Sequence, residues 1–147
     1  MIHKIVNWRQ TPLIDFSDFH VKNSENYCLL HISNASPRQL TAPIFPVNTI
    51  VLRETWETVV KNTPRMRLLQ SEQNHFQYVV TSKWLGFPDI IDSEIVSCGN
   101  GGSQLFIYSR SVYGYYDFKV NIRRIEIWLA QIKQLVARYV KNIPVAL

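Results

Sequence analysis

GFPDIIDSEIVSCGNGGSQLFIYSRSVYGYYDFKVNIRRIEIWL, residues 86–129, is the stretch whose reading decides the fold. Two segments, 90–97 and 103–111, flank Cys98-Gly99-Asn100-Gly101-Gly102, a run of residues that tolerate positive φ and so turn a hairpin. In the second segment Leu105 and Ile107 fall on one face, and Phe106, Tyr108 and Arg110 on the other, because strand side chains alternate. A compact Ser/Arg/Tyr/Gly/Asp cluster follows, and then the period changes. Ile122, Ile125, Leu129, Ile132, Val136 and Tyr139 recur at alternating spacings of three and four, the stripe of one helical face. Trp128, Leu135 and Val140 widen the stripe. A helix is expected over 118–141, and so broad an apolar face needs a sheet or a partner to cover it.

Working outward, Leu52, Trp56, Val59 and Val60 place a second apolar face on a helix at 49–62. Asn48 or Thr49 can cap its start, and Asn62 and Pro64 end it. Residues 65–71 and 76–82 read as strands about the polar turn 72–75, with Phe76, Tyr78 and Val80 on one face. Residues 27–33 suit a short strand. Pro12, Pro37, Pro43 and Pro46 punctuate the first 47 residues, which read as an irregular wrap over a core, with 35–48 an extended loop. The expected fold is one α+β domain over 1–147: an antiparallel sheet of four to five strands, a meander, with the two helices packed on it.

Hydrophobic residues make up 46% of the chain and charged ones 18%, the balance of a globular protein. The net charge of +5 is unevenly placed. Residues 1–100 carry nine Lys/Arg and nine Asp/Glu, whereas residues 101–147 carry seven and two. The last strand and helix therefore hold the whole excess, which favours anions of any kind. Basic residues spread along one helix, without a dense stripe or a recognised motif, argue against nucleic acid. No apolar run approaches the roughly 18 residues of a transmembrane span. Residues 1–10 lack the apolar run of a signal peptide, so a cytoplasmic location is expected, with export by another route left open. Cys28 and Cys98 belong to no Cys-x-x-Cys pair and are expected as reduced thiols.

Residues 86–129 resemble the domain of unknown function 1499 family. Members look like a Gly-Phe-x-Asp-Asp opening, two strands ending in an Arg-Ser-x-Ser-Arg-x-Gly-x-x-Asp element, and a helix carrying Asn-x-x-Arg-Ile. This chain has Gly86, Phe87 and Asp89, then Ser109, Ser111, Gly114 and Asp117, then Asn121, Arg124 and Ile125 at matching spacing. The match extends more loosely upstream to residue 26. The family's second Asp is Ile90 here, its two arginines fall at Tyr108 and Val112, and a glycine is replaced by Lys119. Arg110 lies between the two lost arginine positions.

The resemblance and the residues together give one candidate ligand-binding set: Asp89, Ser109, Arg110, Ser111, Asp117, Asn121 and Arg124. Asp117 suits a helix N-cap. Paired with Asp89 it would make an acid/base couple, provided the two converge. A helix N-terminus with Ser109, Ser111 and Arg124 beside it suits a phosphate or carboxylate. His20, Cys28 and His31 include a Cys-x-x-His pair but no second pair, so no metal is expected. No serine elbow, P-loop or dinucleotide fingerprint occurs, so neither a cofactor nor a catalytic residue is assigned. The leading expectation is a non-catalytic binding or interaction module for a protein partner or a small anionic ligand. The alternatives are a small enzyme or anion site at the start of the last helix, and a binder of nucleic acid or an anionic membrane surface.

Overall fold

The structure, a computed structural model, describes residues 11–19, 21, 27–32, 38–113 and 119–143. In chain order the elements are β1 (Tyr27–His31), β2 (Gln39–Thr41), α1 (Thr49–Lys61), β3 (Met66–Glu72), β4 (His75–Thr81), β5 (Pro88–Gly99), β6 (Gly102–Ser111) and α2 (Val120–Lys141). The strands form one six-stranded sheet in the order β2-β1-β6-β5-β4-β3.

The β5–β6 hairpin forms where the glycine-rich turn places it. Gly99, Asn100 and Gly101 take φ of 76°, 51° and 76°, the left-handed geometry a tight two-residue turn demands. β3 and β4 pair the same way about Gln73, which has φ 52°.

Two expectations about the sheet are corrected. It has six strands rather than four to five, and it is mixed rather than wholly antiparallel. The added strand is β2, from within the segment read as a loop. Its three residues pair parallel to β1, Leu29 opposite Gln39 and His31 opposite Thr41. Three residues are too few to show a period, and Pro37 and Pro43 bracket them. The connection, residues 32–38, is also shorter than the dozen or so that parallel pairs ordinarily need.

Both helices lie on one side of the sheet. Asn48 caps α1 by accepting the Val51 N–H through Oδ1 at 3.0 Å. Leu52, Trp56 and Val59 of α1 and Ile125, Trp128, Ile132 and Val136 of α2 are buried in one core with Leu30, Tyr78, Ile91, Leu105 and Ile107. Trp56 and Trp128 meet edge to face, with ring centroids 5.3 Å apart. Each indole N–H has a partner: Trp56 donates to Ser93 Oγ at 3.1 Å and Trp128 to Thr63 Oγ1 at 3.0 Å. α2 starts two residues later than its pattern suggested, with Lys119 at the N-cap in a left-handed conformation (φ 63°). Tyr139 and Val140, the last members of the stripe, are exposed.

The opposite side of the sheet is also covered. Residues 11–19 cross it as a strap, with a 3-10 turn at Phe16–Asp18 capped by Asp15. Phe16 is buried, its ring 6.0 Å from that of Phe106, and Phe19 lies 4.7 Å from Tyr108. His31 Nε2–H donates to the Phe16 carbonyl at 3.0 Å. Cover on both sides explains why all five residues from Phe76 to Val80 are buried, where a one-sided strand would alternate.

Candidate functional site

Five of the seven candidate residues come together between sheet and helix. Pairing of Asp89 with Ser111, and of Ile91 with Ser109, puts Asp89, Ser109 and Ser111 on the helix side of β5 and β6. The first turns of α2 bring Asn121 and Arg124 down onto them. Ser109 Oγ donates to Asn121 Oδ1 at 2.6 Å, and Asn121 Nδ2 donates to Ser111 Oγ at 3.3 Å. Arg124 Nη1 donates to the same Asn121 oxygen at 2.9 Å and to Ser109 Oγ at 3.1 Å. Its Nη2 pairs with Asp89 Oδ2 at 2.8 Å, with both side chains about 15% exposed or less. Asn121 and Ser109 are fully buried. The cluster is a hydrogen-bonded network that fastens α2 to β5 and β6, with Asp89 as the anion in an internal ion pair.

Arg110 is carried to the other side. It neighbours Ser109 in sequence, so alternation sends it through the sheet, under the 11–19 strap. There Nη1 donates to Asp92 Oδ2 at 2.7 Å, and the guanidinium carbon lies 4.7 Å from the Tyr108 ring centroid. Asp117 lies outside the described residues, as does His20. Cys28 is on the helix side and His31 on the strap side, so the Cys-x-x-His pair points to opposite faces. Among the described residues, no group of three His, Cys, Asp or Glu side chains is placed to hold a metal ion. Cys28 is buried and Cys98 is exposed, and no disulfide joins them.

Sequence reasoning missed the polar network around Arg110. Asp92 and Gln77 are both buried, on adjacent strands in register. Gln77 Nε2 donates to Asp92 Oδ1 at 3.1 Å and to the Pro12 carbonyl at 3.4 Å. Gln70 Nε2 donates to Gln77 Oε1 at 2.9 Å and to the Thr11 carbonyl at 2.6 Å. These side chains bind the backbone of the strap, replacing the strand partner that an extended segment would otherwise need. The legible sign was an aspartate within the apolar run Ile90-Ile91-Asp92-Ser93, at the position whose neighbours on that face are Tyr108 and Gln77.

Burial pushes the Asp92 carboxyl above its ordinary value of 3.8, while Arg110 and Gln77 pull the other way. With the folded value raised, the native state keeps this proton to higher pH than the unfolded chain does. Asp92 therefore contributes most at low pH, and that contribution is lost as pH rises from the ordinary carboxylate value through the raised one. The difference in unfolding free energy between the wild type and Asp92→Asn is expected to fall as pH rises through that window. Urea unfolding of both proteins across the acidic range checks it; a difference that grows with pH contradicts the assignment.

A cleft of about 660 Å³ opens beside Arg110. The strap residues Pro12, Leu13, Ile14 and Phe19 and the sheet residue Tyr108 form its apolar walls, with Asp15 and Asp18 also lining it. It is the space beside the strap, away from the helices and from the Asp89–Arg124 network.

The family model described as "Protein of unknown function (DUF1499)" matches residues 20–132. Among curated proteins, none matches the chain. A solved structure, that of TTHA0849 from Thermus thermophilus, is similar over 77% of this chain and 98% of its own, with 10% sequence identity and a TM-score of 0.38.

Proposed function

Because the chain belongs to the DUF1499 family, whose description carries no activity, the function has to come from the site itself, and we propose a non-catalytic binding module for a small anionic ligand with an apolar or aromatic body. The observation that carries this reading is Arg110 at the wall of the 660 Å³ cleft, beside the Tyr108 and Phe19 rings. Small-molecule sites typically have volumes of about 300–1,000 Å³, mostly apolar walls and a few polar groups that orient the ligand. A guanidinium offers five N–H donors in a planar fork, and Asp92 engages only the Nη1 side. An incoming carboxylate or phosphate would share the guanidinium with Asp92, which holds Nη1 at 2.7 Å. Cys28 and Cys98, as reduced thiols, suit a cytoplasmic setting.

The test is a calorimetric and thermal-shift panel of aliphatic and aromatic carboxylates and phosphate esters. The wild type is expected to bind at least one. Arg110→Ala is expected to weaken that binding about tenfold or more, the loss of one charge-assisted hydrogen bond. The exposed Arg123→Ala is expected to leave it unchanged. Equal binding by Arg110→Ala, or no binding anywhere in the panel, sinks the reading.

A further inference from the structure

The loop 82–87, between β4 and β5, carries the most exposed large apolar side chains among the described residues. Trp84 is 86% exposed and Leu85 70%, and Phe87 is half exposed against the ring of Tyr113, 6.4 Å away. The loop is built, not slack. Ser82 N–H donates to the Phe87 carbonyl at 2.9 Å, Gly86 N–H to the Ser82 carbonyl at 3.1 Å, and Phe87 N–H to Ser82 Oγ at 2.9 Å. Gly86 supplies the positive φ of 64° that closes it. These bonds pinch the loop at its base and hold Trp84 and Leu85 out at the tip. Such closure would accept polar residues there equally well, so the backbone gives no reason for an apolar tip.

Among the described residues, the charged side chains at the tip and at the loop's entry are basic. Lys83 Nζ stands 4.9 Å from the Trp84 ring centroid. Arg65 Nε donates to the Thr81 carbonyl at 3.0 Å, at the loop's entry. Lys119 begins α2, whose Arg124 reaches Asp89 just after the loop's exit. Asp89, the acidic residue next to the loop, is neutralised by that internal pair. Glu72 and Glu94 lie toward the far end of the sheet, where they neighbour His75 in register.

We propose that this tip docks the protein peripherally on an anionic lipid bilayer, with Trp84 and Leu85 entering the headgroup region while Lys83 and Arg65 face the lipid charge. Tryptophan favours that region, since its ring has an apolar body and one polar N–H. Each Lys or Arg near an anionic surface adds attraction that salt screens. The tip protrudes, and a fluid headgroup layer accepts a protrusion without a matching groove. No helix among the described residues is long and apolar enough to cross a membrane.

Flotation of the full chain with vesicles tests this. Binding is expected to phosphatidylglycerol–phosphatidylcholine vesicles at low salt and not to pure phosphatidylcholine. The double substitution Trp84→Ser and Leu85→Ser is expected to reduce binding about tenfold or more, and Lys83→Glu to reduce it at low salt. Both tip side chains stand in solvent, so the melting temperature should not move. If it does, brominated-chain lipids decide: they quench wild-type tryptophan fluorescence, and Trp84→Phe keeps the binding while losing most of the quenching. No binding to anionic vesicles, or equal binding by a folded double variant, overturns the proposal.

Discussion

Arg124→Met is expected to lower the unfolding free energy by about 3–5 kcal/mol, the effect of leaving one half of a mostly buried ion pair without the other. In a domain of this size that corresponds to roughly 10 °C in melting temperature. The side chain closes three contacts at once: the Asp89 carboxylate at 2.8 Å, the Asn121 amide oxygen at 2.9 Å and the Ser109 hydroxyl at 3.1 Å. Methionine keeps much of the stem volume but leaves Asp89 as a charge without its partner, in a site from which water is largely excluded. Adding Asp89→Asn removes that charge, so the double variant is expected to recover part of the loss rather than add to it. Urea unfolding of the two single variants and the double variant gives the coupling. A loss below about 1 kcal/mol for Arg124→Met would place the pair with ordinary surface salt bridges and contradict the interior network described above.

Trp56→Ala is expected to cost about as much, 3–5 kcal/mol, by a different route. Trp56 is fully buried where α1, α2 and the sheet meet. It packs edge-on against Trp128 and against Tyr78, with centroids 5.3 Å and 6.0 Å away. Alanine leaves a cavity that two helices and a six-stranded sheet cannot jointly collapse. Trp56→Phe separates the two contributions. It keeps an aromatic ring in the site and removes the N–H that donates to Ser93 Oγ, so a loss of about 1–2 kcal/mol is expected. Equilibrium unfolding in urea measures both. If phenylalanine were as damaging as alanine, the hydrogen bond rather than the packing would be the dominant contribution.

The elements with a sustained period were readable from residues alone. Both helices and the four strands from Met66 to Ser111 lie where the turn residues and the two-residue and three-four spacings put them, although β4 is buried on both faces and so does not alternate in burial. β2 gave no such sign: its partner is a parallel neighbour, and three residues between prolines cannot display an alternation. The candidate site was half legible. Ser109, Asn121, Arg124 and Asp89 lie together and bond to one another. Arg110 was grouped with them although its parity already set it with Phe106 and Tyr108, on the other face. The network of Asp92, Gln77 and Gln70 was invisible because its acceptors include main-chain carbonyls of Thr11 and Pro12, and no side-chain pattern advertises a backbone acceptor.

The strand order has a consequence for the history of the molecule during synthesis. β1, at Tyr27–His31, is antiparallel to β6, whose last residue is Ser111. β1 has to wait for some eighty further residues before that partner is complete. Meanwhile β3, β4, β5 and β6 can zip up through short hairpins, each closing a loop of small entropic cost. Until β1 arrives, the open flank of β6 is a row of unsatisfied backbone groups, and the Tyr108 and Phe106 rings lack the strap that later covers them. The interval between the completion of β6 and the docking of β1 is when this protein is most exposed to pairing with the wrong strand.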